Sequence, residues 1–503
     1  MMNERTSIKE FHTWHKHKSM INIKMITRVL GFLLIVEALF FVICTIVSLI
    51  YKESDYIYFI YSILINLGTA GLFILFSRKA QPRMTRRDGY CIVSLTWIMF
   101  TIFGMLPFYL SGYIPDISDA FFETMSGFTT TGATILNDIE SLSNGMLFWR
   151  SLTQWIGGLG IVIFTIAVFP IFGGSALQLF SAESTGVTHD KIHPKISSMA
   201  KRLWMVYIIL TLSEAILLVL GGMDMFDAVC HSFTTTSTGG YSTKQASIAY
   251  WNSPYIEYIV IIFMLLSSVN FSLYFVCLKR GQIKKLLNNA EFKWFMGSVA
   301  VLTLIIAVAL YINNNYGIEK AFRVSLFQVS SIHTSCGYAT DDYLYWPHFT
   351  WLLLIFAMLA GGCTGSTAGG IKEMRIVIFY RNIKNEFKRM IHPEAVLPVR
   401  VNKTVVSPAI VSTVKTFIIF YLTCLFAGWL ALMVIGIDFT ESFGLIVSSI
   451  GNDGPALGLY GPANTWSSIP DAAKWITSFM MLIGRLELFS VLLLFYPGFW
   501  SRR

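Results

Sequence analysis

The sequence predicts an all-α integral membrane protein of ten transmembrane helices, an N-terminal helical hairpin plus four span–half-helix–span repeats about a pseudo-fourfold axis. Three observations predict it. Of 503 residues, 54% are hydrophobic and only 13% charged, against about a quarter charged in a soluble domain. Apolar runs of about 20 residues, the length a helix needs to cross a bilayer, recur along the whole chain. A unit of about 100 residues, built around a polar turn, occurs four times over.

The spans fall near residues 27–50, 57–77, 90–113, 147–172, 203–222, 254–278, 294–313, 349–378, 408–436 and 473–497. Segments 1–28, 78–90, 173–202, 279–293, 372–403 and the last two residues then share one side. They hold 30 of the 38 Lys and Arg, so the positive-inside rule puts both termini in the cytoplasm. An even number of spans agrees. The net charge of +9 is therefore a topology signal; lipid is the expected surround, and nucleic acid is dropped as a partner. Cys44, Cys91, Cys230, Cys277, Cys336, Cys363 and Cys424 form no CxxC pair. They read as small core residues and not as a metal or disulfide framework.

The repeat shows in the turns MSGFTTTGAT (125–134), SFTTTSTGGYST (232–243), SIHTSCGYAT (331–340) and SSIGNDGPALG (448–458). Each follows an apolar run too short to cross: 119–128, 226–235, 319–333 and 441–450. Aligned on Gly132, Gly239, Gly337 and Gly454, the turns lie 107, 98 and 117 residues apart. Two spans per unit make all four units enter the membrane the same way round, so they can encircle a central pore. The expected divisions are a cytoplasmic segment and hairpin over 1–85, then repeats over 86–190, 191–290, 291–400 and 401–503. Asp119, Asp227, Glu319 and Glu441 stand near the half-helix starts. They read either as simple complements of the helix dipole or as an anionic vestibule that concentrates cations.

Irregular backbone within a bilayer survives only where protein buries it or water reaches it. Thr-Gly turns supply carbonyl oxygens and a residue free to adopt positive φ, and a ring of such carbonyls can replace the hydration shell of a monovalent cation. The alternative is four tight turns that merely reverse the chain. Their regular period, each with a glycine and a preceding half-helix, favours an ion filter.

The turns TTTGAT, TSTGGYST and TSCGYATDD resemble the filters of the potassium transporter superfamily related to potassium channels. RSLTQWIGGLGIVIFTIAVFP (150–170), AGGCTGSTAGGIK (360–372), IHPEAVLPV (391–399) and GRLELFSVLLLFYPGFW (484–500) narrow the match. Together they resemble the pore-forming subunit of bacterial Trk-type potassium uptake systems, the TrkH/TrkG branch. The resemblance implies a filter of Thr130, Thr131, Gly132, Thr238, Gly239, Gly240, Ser335, Cys336, Gly337, Asn452, Asp453 and Gly454. Potassium would be held around Thr131-Gly132, Thr238-Gly239, Cys336-Gly337 and Asp453-Gly454. Two positions depart from the family pattern, Cys336 standing for a usual threonine and Asp453 for a usual apolar residue. The acid could tighten cation binding or admit sodium. The resemblance further implies a bacterial inner-membrane location, a homodimer and a separate cytosolic TrkA-like regulatory subunit that binds NAD(H) and adenine nucleotides. Potassium is the transported ion, and this chain itself would bind no cofactor.

Residues 361–370, GGCTGSTAGG, interrupt the second span of the third repeat. Five of the ten are glycine, each costing about 1 kcal/mol in a helix relative to alanine. The alternatives are close helix packing through small residues or a gate beneath the filter, formed by Gly361, Gly362, Thr364, Gly365, Ser366, Gly369 and Gly370. A phosphate loop is excluded, since Lys372 follows Ile371 and no strand precedes. Arg485 falls midway along the last span, where an arginine costs about 2.5–3.5 kcal/mol to insert. It is read either as pairing with an acid such as Glu214 or Glu37, or as a positive barrier beneath the filter. An intramembrane enzyme would need clustered His, Asp or Glu at mid-span, which the spans lack. An alternating-access carrier would more often show inverted repeats, and these are parallel. The reading reached is a gated potassium pathway, with a potassium/sodium pathway of relaxed selectivity as its alternative.

Overall fold

The computed structural model describes residues 21–80, 84–160, 196–280 and 282–501. Within them the chain is helical apart from one two-residue antiparallel ladder, Arg400–Val401 with Thr404–Val405, in which Arg400 faces Val405. Helices α1 (Ile23–Ile50) and α2 (Tyr56–Phe76) form the expected N-terminal hairpin. Gly31 lets the helices close up: a Cβ there would lie 3.2 Å from the Ala70 carbonyl oxygen. Glu53, in the hairpin turn, accepts hydrogen bonds from Asn144 N (2.7 Å) and Gly145 N (3.0 Å). An anionic group at a helix N-terminus is favoured by unsatisfied N–H groups and dipole alike, and this contact anchors the hairpin to the first repeat.

The first repeat runs through α3 (Arg86–Gly104), the short buried helix α4 (Ile117–Phe128) and α5 (Asn144–Leu159). The second comprises α6 (Ile196–Leu220), short α7 (Met225–Thr236), α8 (Pro254–Ser267) and α9 (Phe271–Arg280). The third has α10 (Ala290–Asn313), short α11 (Ile318–His333), α12 (His348–Ala360) and α13 (Glu373–Ile391). The fourth has α14 (Pro408–Ile435), short α15 (Phe439–Gly451) and α16 (Asp471–Arg485). The short helices match the expected half-helices to within two residues at either end. They are the core: every residue from Ala120 to Phe128 and from Gly444 to Gly451 is buried.

Among the described residues, six helices are long and apolar enough to cross a membrane. Several expected second spans are broken instead of continuous. The run 254–278 breaks between Ser267 and Phe271, 349–378 opens into the loop after Ala360, and 473–497 turns through 110° between α16 and the short helical stretch Phe489–Phe495. The first and last of these breaks were not expected, because apolar composition reports burial and says nothing of helix continuity. In the first repeat α5 ends at Leu159, and the expected remainder of its span, to 172, lies outside the described residues, as does most of 173–202.

The starts of the short helices differ from expectation in one detail. Asp116 and Asp224, not Asp119 and Asp227, accept the N-terminal N–H groups of α4 and α7. Asp119 instead pairs with Lys474 at 2.5 Å and Glu319 with Arg323 at 2.7 Å, so two of the four acids are locally neutralised. In the loop between α10 and α11, Tyr316 donates to Asp341 (2.9 Å), and burial together with that carboxylate pushes its phenol up to about 12.

Candidate functional site

The four turns leave their short helices along the same backbone path. The first residue of each has positive φ: Thr130 53°, Thr238 54°, Ser335 51° and Asn452 58°. So does the glycine two positions on: Gly132 84°, Gly240 74°, Gly337 89° and Gly454 92°. Between them, Thr131, Gly239, Cys336 and Asp453 donate their N–H to the carbonyls of Ser126, Thr234, Ser331 and Ser448 at 2.8–3.0 Å. These bonds fix the register. Gly240, not Gly239, is the counterpart of Gly132, a one-residue correction to the expected alignment. Gly239 takes the place filled elsewhere by Thr131, Cys336 and Asp453.

The turns also meet one another in a fixed order. A methyl group built on Gly132 would collide with the Gly239 carbonyl oxygen, one on Gly240 with that of Cys336, and one on Gly337 with that of Asp453. One on Gly454 would lie 2.6 Å from the Thr131 oxygen, which closes the cycle. All four of these glycines line a single cavity, with Arg150, Lys244 and Asn464 among its other walls.

Behind the first two turns lies a group of polar residues that the sequence reading did not single out. Gln154, on α5, donates through Nε2 to the Gly239 carbonyl (2.7 Å) and accepts from Tyr241 N (3.0 Å). One turn earlier, Arg150 pairs with Glu123 of α4 (2.8 Å), donates to the Ser242 carbonyl (2.8 Å) and lies 3.5 Å over the Tyr241 ring. Glu123 accepts in addition from Thr134 Oγ1 and Ile135 N. Both members of the pair are buried, an arrangement that needs further hydrogen bonds, supplied here by the Ser242 carbonyl, Thr134 Oγ1 and Ile135 N. The signal was present in RSLTQW: two strongly polar residues four apart lie on one face of an otherwise apolar segment.

Beneath the turns runs the loop Gly361–Lys372. Positive φ at Gly361, Gly365 and Gly370 folds it back on itself, and a Cβ on Gly361 would strike the Gly369 carbonyl. Gly369 N donates to Ser335 Oγ (2.5 Å), Gly370 N to the Gly451 carbonyl (3.1 Å), and Thr367 Oγ1 to the carbonyls of Thr236 and Ser267 (both 3.2 Å). The loop thus touches the C-terminal end of α7, the third turn and the C-terminal end of α15. Thr364 N donates to Glu291 at 2.5 Å, Ser366 Oγ to the Cys363 carbonyl at 2.6 Å, and Glu373 N to the Gly362 carbonyl at 3.1 Å. At the exit, His333 Nε2 lies 3.1 Å from Glu373 and 2.9 Å from Ser298 Oγ, with its ring stacked on Phe295.

Arg485 sits at the bend of the last span. It donates to the carbonyls of Thr367 in the loop and Gly157 in α5, each at 2.7 Å. The first of the two alternatives, a pairing with Glu214 or Glu37, is not made among the described residues: Glu214 accepts from Thr236 Oγ1, and the polar neighbour of Glu37 is Asn66. Glu487, two residues on, is bonded to Arg375.

A helical membrane protein with four short buried helices, whose turns converge on a single cavity, belongs to the class of transport proteins. The chain belongs to the TrkH family of cation transport proteins, whose family model matches residues 56–501. It is therefore a transporter and not an enzyme. It is 38% identical over 488 residues to the Trk system potassium uptake protein TrkH of Escherichia coli K12, covering 95% of this chain and all of that protein. To the Trk system potassium uptake protein TrkG of the same organism it is 33% identical over 483 residues, covering 95% of this chain and 99% of the other. The crystal structure of the potassium transporter TrkH from Vibrio parahaemolyticus superposes with a TM-score of 0.85 at 33% identity, over 95% of this chain and 100% of that one.

Proposed function

We propose that this chain takes up potassium through a gated pore, with the four turns as its selectivity filter and the loop Gly361–Lys372 as its gate. One observation carries the reading. Four backbone turns of the same conformation close into a cycle, each setting a glycine against its neighbour's carbonyl, and a glycine-rich loop lies directly beneath. Neutral backbone oxygens bind a weakly hydrated cation without trapping it. The relatives named above are potassium uptake proteins, which agrees with potassium as the cargo.

In this reading the gate is closed as described. Arg485 holds the loop to α5 while placing a positive charge below the filter, which lowers cation occupancy there. Displacement of the loop opens the path. Its trigger is a cytosolic nucleotide-binding subunit docking on the basic inner face, and two copies of the pore chain assemble in the bacterial inner membrane with their termini in the cytoplasm. The second reading, a pathway shared by potassium and sodium, rests on Asp453, an acid built into the fourth turn. Potassium and sodium fluxes through purified protein in liposomes, with and without the cytosolic partner, test both readings. Potassium flux well above sodium flux supports the first reading. Equal rates support the second, and no flux with the partner present refutes transport.

A further inference from the structure

The fourth turn carries a carboxyl side chain that the proposed filter does not use. The backbone of Asp453 belongs to the cycle of turns, but its side chain points behind it. Both carboxylate oxygens are buried and, among the described residues, accept no hydrogen bond. The groups around it are further oxygens. A Cβ built on Gly451 would collide with Asp453 Oδ2 and lie 3.4 Å from the Met358 carbonyl oxygen. Met358 is close to the end of α12, where the last carbonyls of a helix lack intrahelical partners and carry its negative pole. Two tyrosines interact electrostatically with Asp453: Tyr343, whose hydroxyl is engaged with the Ala456 carbonyl (2.6 Å), and Tyr421 on α14, whose buried hydroxyl makes no hydrogen bond among the described residues.

A buried carboxylate beside a helix C-terminus is doubly unfavourable unless a proton or a cation joins it. We propose that Asp453 Oδ1 and Oδ2, the Tyr421 hydroxyl and the Met358 carbonyl bind a small monovalent cation off the axis, sodium in preference to potassium. The size preference follows from field strength. A carboxylate draws a cation more strongly than an amide carbonyl and repays the larger dehydration cost of the smaller ion, whereas a ring of neutral carbonyls suits the larger one. Occupancy is coupled to the loop, because Gly451, which packs on Asp453 Oδ2, also accepts from Gly370 N. The site rests on the filter reading only for its position and not for its ligands.

The test is a titration of sodium chloride into the purified full chain in saturating potassium, followed by calorimetry and by thermal unfolding. Potassium fills the axial sites, so a saturable sodium signal that persists belongs elsewhere. The expected result is such a signal in the wild type, lost in Asp453→Asn and weakened about tenfold in Tyr421→Phe, which removes one ligand of the set. A wild type without the signal, or Asp453→Asn with it intact, overturns the proposal; the first result is also what a carboxylate neutralised by a proton would give. Should Asp453→Asn fail to fold, Tyr421→Phe decides, since unchanged sodium affinity there refutes the ligand set. Failure of the filter reading appears separately, as equal sodium and potassium fluxes in liposomes.

Discussion

Gly240 illustrates how much one residue can decide. The second turn contains two adjacent glycines, and nothing in TSTGGYST says which of them matches Gly132. The backbone does, through positive φ at Gly240 and the Gly239–Thr234 hydrogen bond. Gly239 is needed for another reason: a Cβ there would strike the Gln154 amide. Gly240→Ala would combine a strained φ, about 1–2 kcal/mol for an L-residue, with a collision against rigid backbone. It is expected to cut potassium flux at least tenfold, and more severely than Gly239→Ala, where a side chain can give way. The reverse ranking in liposome flux would restore the other register. Glu123 offers a stability counterpart. Glu123→Gln would leave Arg150 buried without its countercharge, a loss of about 3–5 kcal/mol, visible as a lower thermal unfolding temperature in detergent. The spacing of Arg150 and Gln154 marks one polar face of α5, but nothing local in the sequence identifies Glu123 of α4 as the partner.

Among the elements, the broken spans carry the loop and its contacts. The loop after Ala360 was legible because five glycines oppose a helix. The breaks at 268–270 and 486–488 were not, since their flanks are apolar and protein, rather than lipid, satisfies the freed backbone. Ser268 O, for instance, accepts from Cys363 N at 2.9 Å. The breaks therefore support one another through the loop, and Arg485 ties the loop to α5. Charge-assisted hydrogen bonds of this kind contribute about 1.5–3 kcal/mol. Arg485→Gln is expected to raise potassium leak severalfold in the absence of any partner, and deletion within 361–370 to raise it further. Leak rates equal to wild type in both variants would remove the loop's role as a gate.

For the whole molecule, the helical class with several apolar spans was legible in hydropathy, whereas apolar length alone does not say where a span breaks. Topology remains directly testable. With Glu394→Cys and Asn464→Cys introduced singly into a background lacking native cysteines, an impermeant thiol reagent should label position 464 only from outside and 394 only from the cytoplasmic side. Both positions are exposed. Labelling of both from one face would invalidate the proposed orientation.

The closed order of the four turns has a consequence for how such a protein can change. In an assembly of identical subunits, one altered codon alters every quarter at once. Here one chain supplies all four, so Thr131, Gly239, Cys336 and Asp453 can occupy equivalent positions while differing in chemistry. Each quarter is free to acquire its own duty as long as the glycine beside its neighbour is kept. Symmetry is required of the backbone alone, and the side chains behind it are left to specialise.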